Sequence, residues 1–331
     1  MNRRTCIHLC SLTLLMGAAL WIAANLAGRG FSEQLEFLLY LETGQRAALL
    51  PRQTEPPAQP SAPPTVPTQP TEPAAETPVF SQTALEEITV KYGCDYRPDL
   101  QALLCSPLSW QLRQDAPTVL IYHTHTTESY TQTELNRYKE SSAYRTLAED
   151  FNMLRVGDEL AARLEASGIH VIHDRTLHDY PAYNGAYGRS QQTVRAAMTE
   201  NPGICLVLDL HRDAVEVNGR QMDTACQVAG LESAQIMLVV GTDAGGLYHP
   251  DWQQNLGLAL KLCAELESLA PGITRPISLR SERFNQNESP GALLVEVGAA
   301  GNTLEEALRA VDVLADAICA LADGANRDAA Q

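Results

Sequence analysis

Residues 117–130 read PTVLIYHTHTTESY, and the first half of that stretch is a strand. Thr118, Val119, Leu120, Ile121 and Tyr122 are β-branched, aliphatic or aromatic, as expected of a strand buried on both faces. The run breaks into His123, Thr124, His125, Thr126, Thr127 and Glu128. Two imidazoles and a carboxylate add nothing to a core. In open α/β sheets, ligands bind outside the carboxyl ends of the strands. His125 and Glu128 form an H-x-x-E pair that a tight loop can fold around one cation. Zinc accepts imidazole nitrogen and carboxylate oxygen at about 2.0–2.2 Å and keeps one position open for water in catalytic sites.

Working outward, the same design recurs twice. Ile204–Leu210 (ICLVLDL) is apolar except for Asp209 and ends in His211, Arg212 and Asp213. Ala292–Val297 (ALLVEV) carries Glu296 near its end. Charged groups in such strands are rarely buried unless paired or bound to a metal. Three strands delivering His125 with Glu128, His211 and Glu296 to one edge supply three zinc ligands and a spare carboxylate, the inventory of a zinc hydrolase. The competing reading makes Glu296 a partner of Arg212 or Arg280, and His211 a strand-end histidine bonded to Asp209 or Asp213. His123 lies two residues before His125, on the same side of an extended chain. It is therefore a second candidate ligand or a neighbour of the site.

Helical spacing extends these strands into an α/β pattern. Tyr144–Ser167 reads as a helix closed by Gly168, followed by a strand at Ile169–His173 and a helix at Ser190–Glu200. Strands are expected at Thr224–Ala229 and Gln235–Gly241, an edge strand at Leu85–Tyr92, and helices at Asp251–Leu269 and Thr303–Leu321. Strands alternating with helices imply a mostly parallel central sheet covered on both faces, a three-layer α/β/α domain over residues 83–323.

The N-terminal third reads differently. Asn2-Arg3-Arg4 precedes an uncharged run from Ile7 to Gly28, about 20 residues and long enough to span a bilayer of about 30 Å. The arginines favour a cytoplasmic N-terminus and an exported remainder. Residues 1–30 are expected to form a transmembrane anchor; the alternative is a signal peptide cleaved near Ala23, Ala24 or Ala27. Residues 31–82 are expected to be a juxtamembrane piece and a disordered Pro-rich linker, because Pro51–Pro78 has too few apolar residues to fold. Residues 324–331 read as a disordered tail. The formal net charge of −16 argues against nucleic-acid binding, which needs a basic face.

YHTHTTESY, DLHRDA, FNQNESPGALLVEVGAAGNTLEEA and the anchor with its Pro-rich spacer resemble the stage II sporulation protein P family, exported peptidoglycan hydrolases of endospore-forming bacteria. The resemblance covers about Pro117–Ala322. It implies an N-acetylmuramoyl-L-alanine amidase that also has endopeptidase action on peptide crosslinks. It further implies a role in septal wall remodelling and engulfment, a domain in the space between mother cell and forespore, and stage II sporulation proteins D and M as partners. More distantly the layout is similar to zinc amidases of the AmiC/CwlV type, with a phosphorylase/hydrolase-like fold. His125, His211 and the catalytic Glu296 match positions of that pattern. Those amidases place the second ligand well after the first His, so Glu134, Glu140 and Glu149 stand as alternatives to Glu128. The mechanism expected is a zinc-activated water attacking the lactyl amide, with Glu296 as proton shuttle and Arg212 as the candidate to stabilise the oxyanion. A crosslink-only endopeptidase and a non-catalytic engulfment scaffold are the rival functions.

The remaining candidates carry less. His170, His173 and His178 fall in HDRTLHD and its flank, read as a solvated loop, although His173 could approach the site. His249 in YHPDW reads as a loop before a helix. Cys205, Cys226, Cys263 and Cys319 read as core residues, and Cys94 with Cys105 as a possible disulfide. The sequence has no phosphate loop and no Ser-His-Asp or Cys-His nucleophile motif.

Overall fold

The computed structural model describes residues 85, 88–108 and 110–329. The anchor and linker expected over residues 1–82 lie outside these residues. Among the described residues no helix is long and apolar enough to cross a membrane.

Thirteen strands and five α-helices follow in chain order among the described residues. They are β1 (Val90–Tyr92), α1 (Leu100–Cys105), β2 (Val119–Tyr122), β3 (Glu140–Ser142), β4 (Arg145–Thr146), α2 (Met153–Ala166), β5 (Val171–His173), α3 (Ala186–Glu200) and β6 (Leu206–Asp213). Then come β7 (Glu216–Val217), β8 (Arg220–Gln221), β9 (Ala225–Val228), β10 (Leu231–Ala234), β11 (Ile236–Gly241), α4 (Trp252–Leu269), β12 (Ile277–Arg280), β13 (Ala292–Ala299) and α5 (Leu304–Ala329). Seven strands form the central sheet in the order β1-β12-β11-β13-β6-β2-β5. Every neighbouring pair is parallel except β11–β13. β2, β6 and β13 therefore end at one edge, and β1, β11 and β12 end at the other.

Alternation along the strands divides the sheet into two unlike faces. Val119, Ile121, Leu208, Leu210, Leu293, Val295, Val297, Ile236, Leu238 and Val240 join one core with Met153, Leu160 and Leu164 of α2, Leu256 and Leu260 of α4, and Val311 and Leu314 of α5. The opposite face has a smaller apolar cluster of Leu120, Tyr122 and Val207 against Val194 of α3. The polar residues of the strands, Asp209, His211 and Glu296, keep the register of this second face, because successive residues point to opposite sides. The architecture is three-layered and unequal, with α2, α4 and α5 on one side, α1 packed beside α4 with Leu104 in the same core, and α3 on the other side.

Several boundaries differ from the sequence pattern. The helix expected from Tyr144 starts at Met153, where the Asn152 side chain accepts the Leu154 N–H as N-cap. Before it, Tyr144 has φ 53° and Arg145 pairs with Glu128 as an isolated antiparallel bridge. The helix ends as expected, with Gly168 at φ +77° supplying the left-handed turn. The strand expected at Thr224–Ala229 is β9. It pairs antiparallel with β10 in a separate hairpin, outside the central sheet. β12, only four residues long, has no counterpart in the sequence reading. The helix expected to stop at Leu321 continues to Ala329, past the boundary drawn at 323. No proline intervenes to stop it. Cys94 and Cys105 are separate free thiols, so the possible disulfide is not formed. Cys105 instead accepts a hydrogen bond from the Gln101 side chain, 3.0 Å.

Candidate functional site

The parallel pairing of β13 with β6 sets Glu296 directly beside His211. β2, on the other side of β6, ends at Tyr122 and releases the chain into the loop that carries His125 and Glu128. Sheet topology therefore brings together His125, Glu128, His211 and Glu296 from three strands.

His125 and His211 meet edge to face with ring centroids 5.2 Å apart. His211 Nδ1 lies 3.5 Å from Glu128 Oε2. His211 Nε2 lies 2.9 Å from Asp209 Oδ1, a buried ion-pair contact. Asp209 is otherwise occupied: Oδ1 accepts the Thr124 N–H at 2.7 Å and Oδ2 the Thr124 hydroxyl at 2.6 Å. His125 Nδ1 and Glu296 Oε2 are buried without a hydrogen-bond partner. An unpaired buried polar atom is costly and calls for an explanation, such as an ion or a water at that place.

The electrostatics separate four roles. Burial lowers His125 to about 4, leaving it neutral at pH 7, as a metal ligand must be. Glu128 is held below the usual carboxylate range: burial opposes ionisation, but Arg212, His211 and His125 outweigh it. Burial also opposes charge on His211, yet Asp209 and Glu128 together hold its imidazolium well above 6.5. The surroundings of His211 are thus built for positive charge, which a proton or a metal ion equally satisfies. Burial raises Glu296 to about 8, with Glu128 and Asp213 adding to the rise and His211 and Arg212 opposing it. Two neutral or neutralisable imidazoles, an ionised carboxylate and an adjacent proton-holding carboxyl are chemically suited to zinc. Among the described residues no three His, Cys, Asp or Glu side chains are already gathered as a metal cage.

Each remaining candidate has a definite place. Glu134, Glu140 and Glu149 are exposed, and Glu149 pairs with Arg175 at 2.7 Å. The alternatives to Glu128 therefore point away from the site. His123 is fully buried and both its nitrogens are engaged, Nδ1 with the Leu210 carbonyl at 3.1 Å and Nε2 with His173 Nε2 at 2.9 Å. It is a brace between β2, β5 and β6, not an available ligand. The strand ends at Tyr122, so His123 and His125 do not share a side as extended-chain geometry implied. Arg212 gives Nε to the Ser129 carbonyl at 3.0 Å and an Nη to the Tyr144 carbonyl at 2.9 Å, with Glu128 at 3.6 Å. Its guanidinium holds the 128–145 region through the Ser129 and Tyr144 carbonyls. Glu296 makes no ion pair with Arg212 or Arg280, whose partners are Glu128 and Glu282 respectively.

The segment read as a solvated loop is instead buried support. His178 bonds the His123 carbonyl at 2.8 Å and the Thr193 hydroxyl at 2.9 Å. Asp179 accepts the Thr127 hydroxyl at 2.6 Å. Further on, Tyr183 lies parallel to His125 with centroids 4.5 Å apart and planes 13° apart, and Tyr187 meets His125 edge to face. Arg145, Asp179, Tyr183 and Tyr187 were not singled out from the sequence. They reach the site from 17 or more positions away, and no local motif marks them.

These observations define a mixed α/β protein with a buried polar cluster of hydrolase type at the ends of β2, β6 and β13. The model of the stage II sporulation protein P family matches residues 52–319, and the chain belongs to that family. Stage II sporulation protein P of Bacillus subtilis (strain 168) is 29% identical over 222 residues, 62% of this chain and 51% of that protein. The chain thus spans about half the length of that curated relative. Among solved structures, the CwlD amidase of Clostridioides difficile in complex with the GerS lipoprotein is 14% identical, with a TM-score of 0.38, covering 64% of this chain and 98% of that one. The N-acetylmuramoyl-L-alanine amidase AmiC2 of Nostoc punctiforme is 12% identical, with a TM-score of 0.36, covering 62% and 94%.

Proposed function

We propose that this protein is a zinc-dependent peptidoglycan hydrolase that cleaves the N-acetylmuramoyl-L-alanine amide during sporulation, with endopeptidase action on crosslinks as a further capacity of the same site. The observation that carries this reading is the convergence of His125, Glu128, His211 and Glu296 on one sheet edge, with His125 Nδ1 and Glu296 Oε2 buried without hydrogen-bond partners. Family membership supports the sporulation setting. The anchor expected over residues 1–30 would hold the domain at the outer surface of the cell membrane, and peptidoglycan with stage II sporulation proteins D and M are the partners proposed.

In this mechanism His125, Glu128 and His211 would hold the zinc, which would supply Lewis acidity and lower the pKa of a water towards about 7. Asp209 sits at His211 Nε2 and balances the charge on that ring. Thr124 fixes Asp209 through its N–H and hydroxyl. Glu296 carries the proton. Its carboxyl, raised to about 8, holds a proton at neutral pH and can deliver it to a departing amine, and its ionised form can take one up. Tyr183 and Tyr187 pack against the His125 ring.

The test is digestion of purified sacculi by the full chain. Stem peptides with free L-alanine amino termini are expected, with loss of release on chelation and recovery on adding zinc. Release of crosslink fragments alone would make the protein an endopeptidase. Wall binding with no released fragment would make it a scaffold.

A further inference from the structure

We propose that Arg145 is a positioning residue that orients the Glu128 carboxylate for metal binding, an inference that rests on the zinc reading above. Glu128 has two unlike oxygens. Oε1 faces Arg145 Nη2 at 3.0 Å, while Oε2 faces His211 Nδ1 at 3.5 Å. The fork of Arg145 is shared: Nη1 reaches Asp179 Oδ2 at 2.5 Å and the Thr127 hydroxyl at 3.3 Å. Asp179 in turn accepts the Thr127 N–H at 3.2 Å and its hydroxyl at 2.6 Å. Thr127 immediately precedes Glu128. Arg145 and Asp179 therefore fix Glu128 from both directions, one through its carboxylate and the other through the backbone before it.

The backbone enforces this register. Glu128 and Arg145 face each other in an antiparallel bridge, flanked by Ser129 N–H to Tyr144 carbonyl at 3.0 Å and Thr146 N–H to Thr127 carbonyl at 2.8 Å. The guanidinium also packs on the Tyr183 ring, 4.9 Å from its centroid, and that ring stacks on His125. Arg145 thus touches one candidate ligand and the ring that covers another. Arg212 also contributes charge beside Glu128, but its guanidinium is 3.6 Å from Oε1 and committed to two carbonyls, while its backbone N–H donates to Oε2 at 3.3 Å. With Oε1 held by Arg145, Oε2 faces His211 and accepts the Arg212 N–H. A planar fork can span two carboxylates, whereas an ammonium acts as a point charge. Groups that orient a metal-ligating side chain typically contribute 10- to 100-fold in metal affinity.

The experiment measures zinc affinity of the full chain by competition with a chromophoric chelator, for the unmutated protein, Arg145→Lys and Arg145→Met, with far-UV circular dichroism at the same temperature. Arg145→Met is expected to bind zinc about 10- to 100-fold more weakly, and Arg145→Lys about tenfold more weakly, both with the unmutated spectrum. If removing the half-buried fork unfolds Arg145→Met, Arg145→Lys decides the matter alone. Affinity within twofold of the unmutated chain in the folded variants overturns the proposal. Tighter binding also overturns it, because Arg145 would then be a competitor of the metal for Glu128. An unmutated chain with no zinc affinity overturns the zinc reading itself, and this proposal with it.

Discussion

The two faces of the central sheet are built from the same strands and do different work. On one face β6 and β13 present Leu208, Leu210, Leu293, Val295 and Val297 to three helices. On the other, the intervening positions present Val207, Asp209, His211 and Glu296 under α3 alone. Burial on the first face stabilises the domain at about 25 cal/mol per Å² of apolar surface removed from water. Burial on the second face costs free energy, because ionisable groups lose hydration there. What the second face gains is shifted protonation: a neutral His125, an ionised Glu128 and a Glu296 raised to about 8. Within one strand, alternation sorts stability from chemistry.

Substitutions can break this division. His211→Ala, on the chemical face, is expected to abolish tight zinc binding while leaving the fold cooperative, measured by metal content after dialysis beside a thermal melt. Leu293→Ala, on the apolar face, is expected to do the reverse. Leu293 is 1% exposed, so the loss should be about 2–5 kcal/mol of stability, read by urea unfolding, with zinc affinity retained in the folded protein. If Leu293→Ala loses zinc at full stability, the two faces are not separable.

A smaller effect is expected where the faces communicate. Gly157 on α2 packs against the His123–His173 pair, and a Cβ there would lie 2.4 Å from His173 Nε2 and 2.8 Å from His123 Nε2. Gly157→Ala gains about 1 kcal/mol in helix propensity but overpacks two hydrogen-bonded rings, at a cost of about 1–3 kcal/mol. A net loss in urea unfolding is expected; a net gain would show that the histidine brace moves aside freely.

These contrasts also explain what the sequence could and could not display. β2, β6 and β13 are legible because unbroken apolar runs are rare outside buried strands, and Asp209, His211 and Glu296 are conspicuous against them. The N-terminal part of the expected helix at 144–167 is not legible. Leu147 and Phe151 continue a helical spacing, but Arg145 is drawn to Glu128 and Asp179 by ion pairs that no local pattern encodes. β12 is as short as β2 but reads ISLR, and its serine and arginine break the apolar run that marks β2. The support by His178, Asp179 and Tyr183 depends on a loop folding back over His125, a tertiary contact set by Arg189 bonding the carbonyls of His178, Ala182 and Asn184.

The smallest expected effect lies outside the site. His249 is fully buried and its pKa is lowered to about 4 by burial and Arg283, against the opposing pull of Asp251 and Asp243. Between about pH 6.5 and 4 the unfolded chain takes up this proton and the folded one does not. Stability should therefore fall as pH drops through that window. His249→Gln is expected to flatten this part of the profile in urea unfolding, with sacculus digestion at pH 7 unaltered. An unchanged acid limb would mean that His249 is protonated in the folded state.

The central claim is that the α3 face carries a hydrolytic site in which Glu296 moves the proton and does not hold the metal. The most direct measurement is zinc content and sacculus digestion rate on one preparation of Glu296→Gln, which keeps the shape of the side chain and removes its ability to ionise. Zinc content equal to the unmutated chain, with turnover lower by about 10²–10⁴-fold, is the predicted result. Turnover near the unmutated rate, or loss of zinc from this variant, would contradict it.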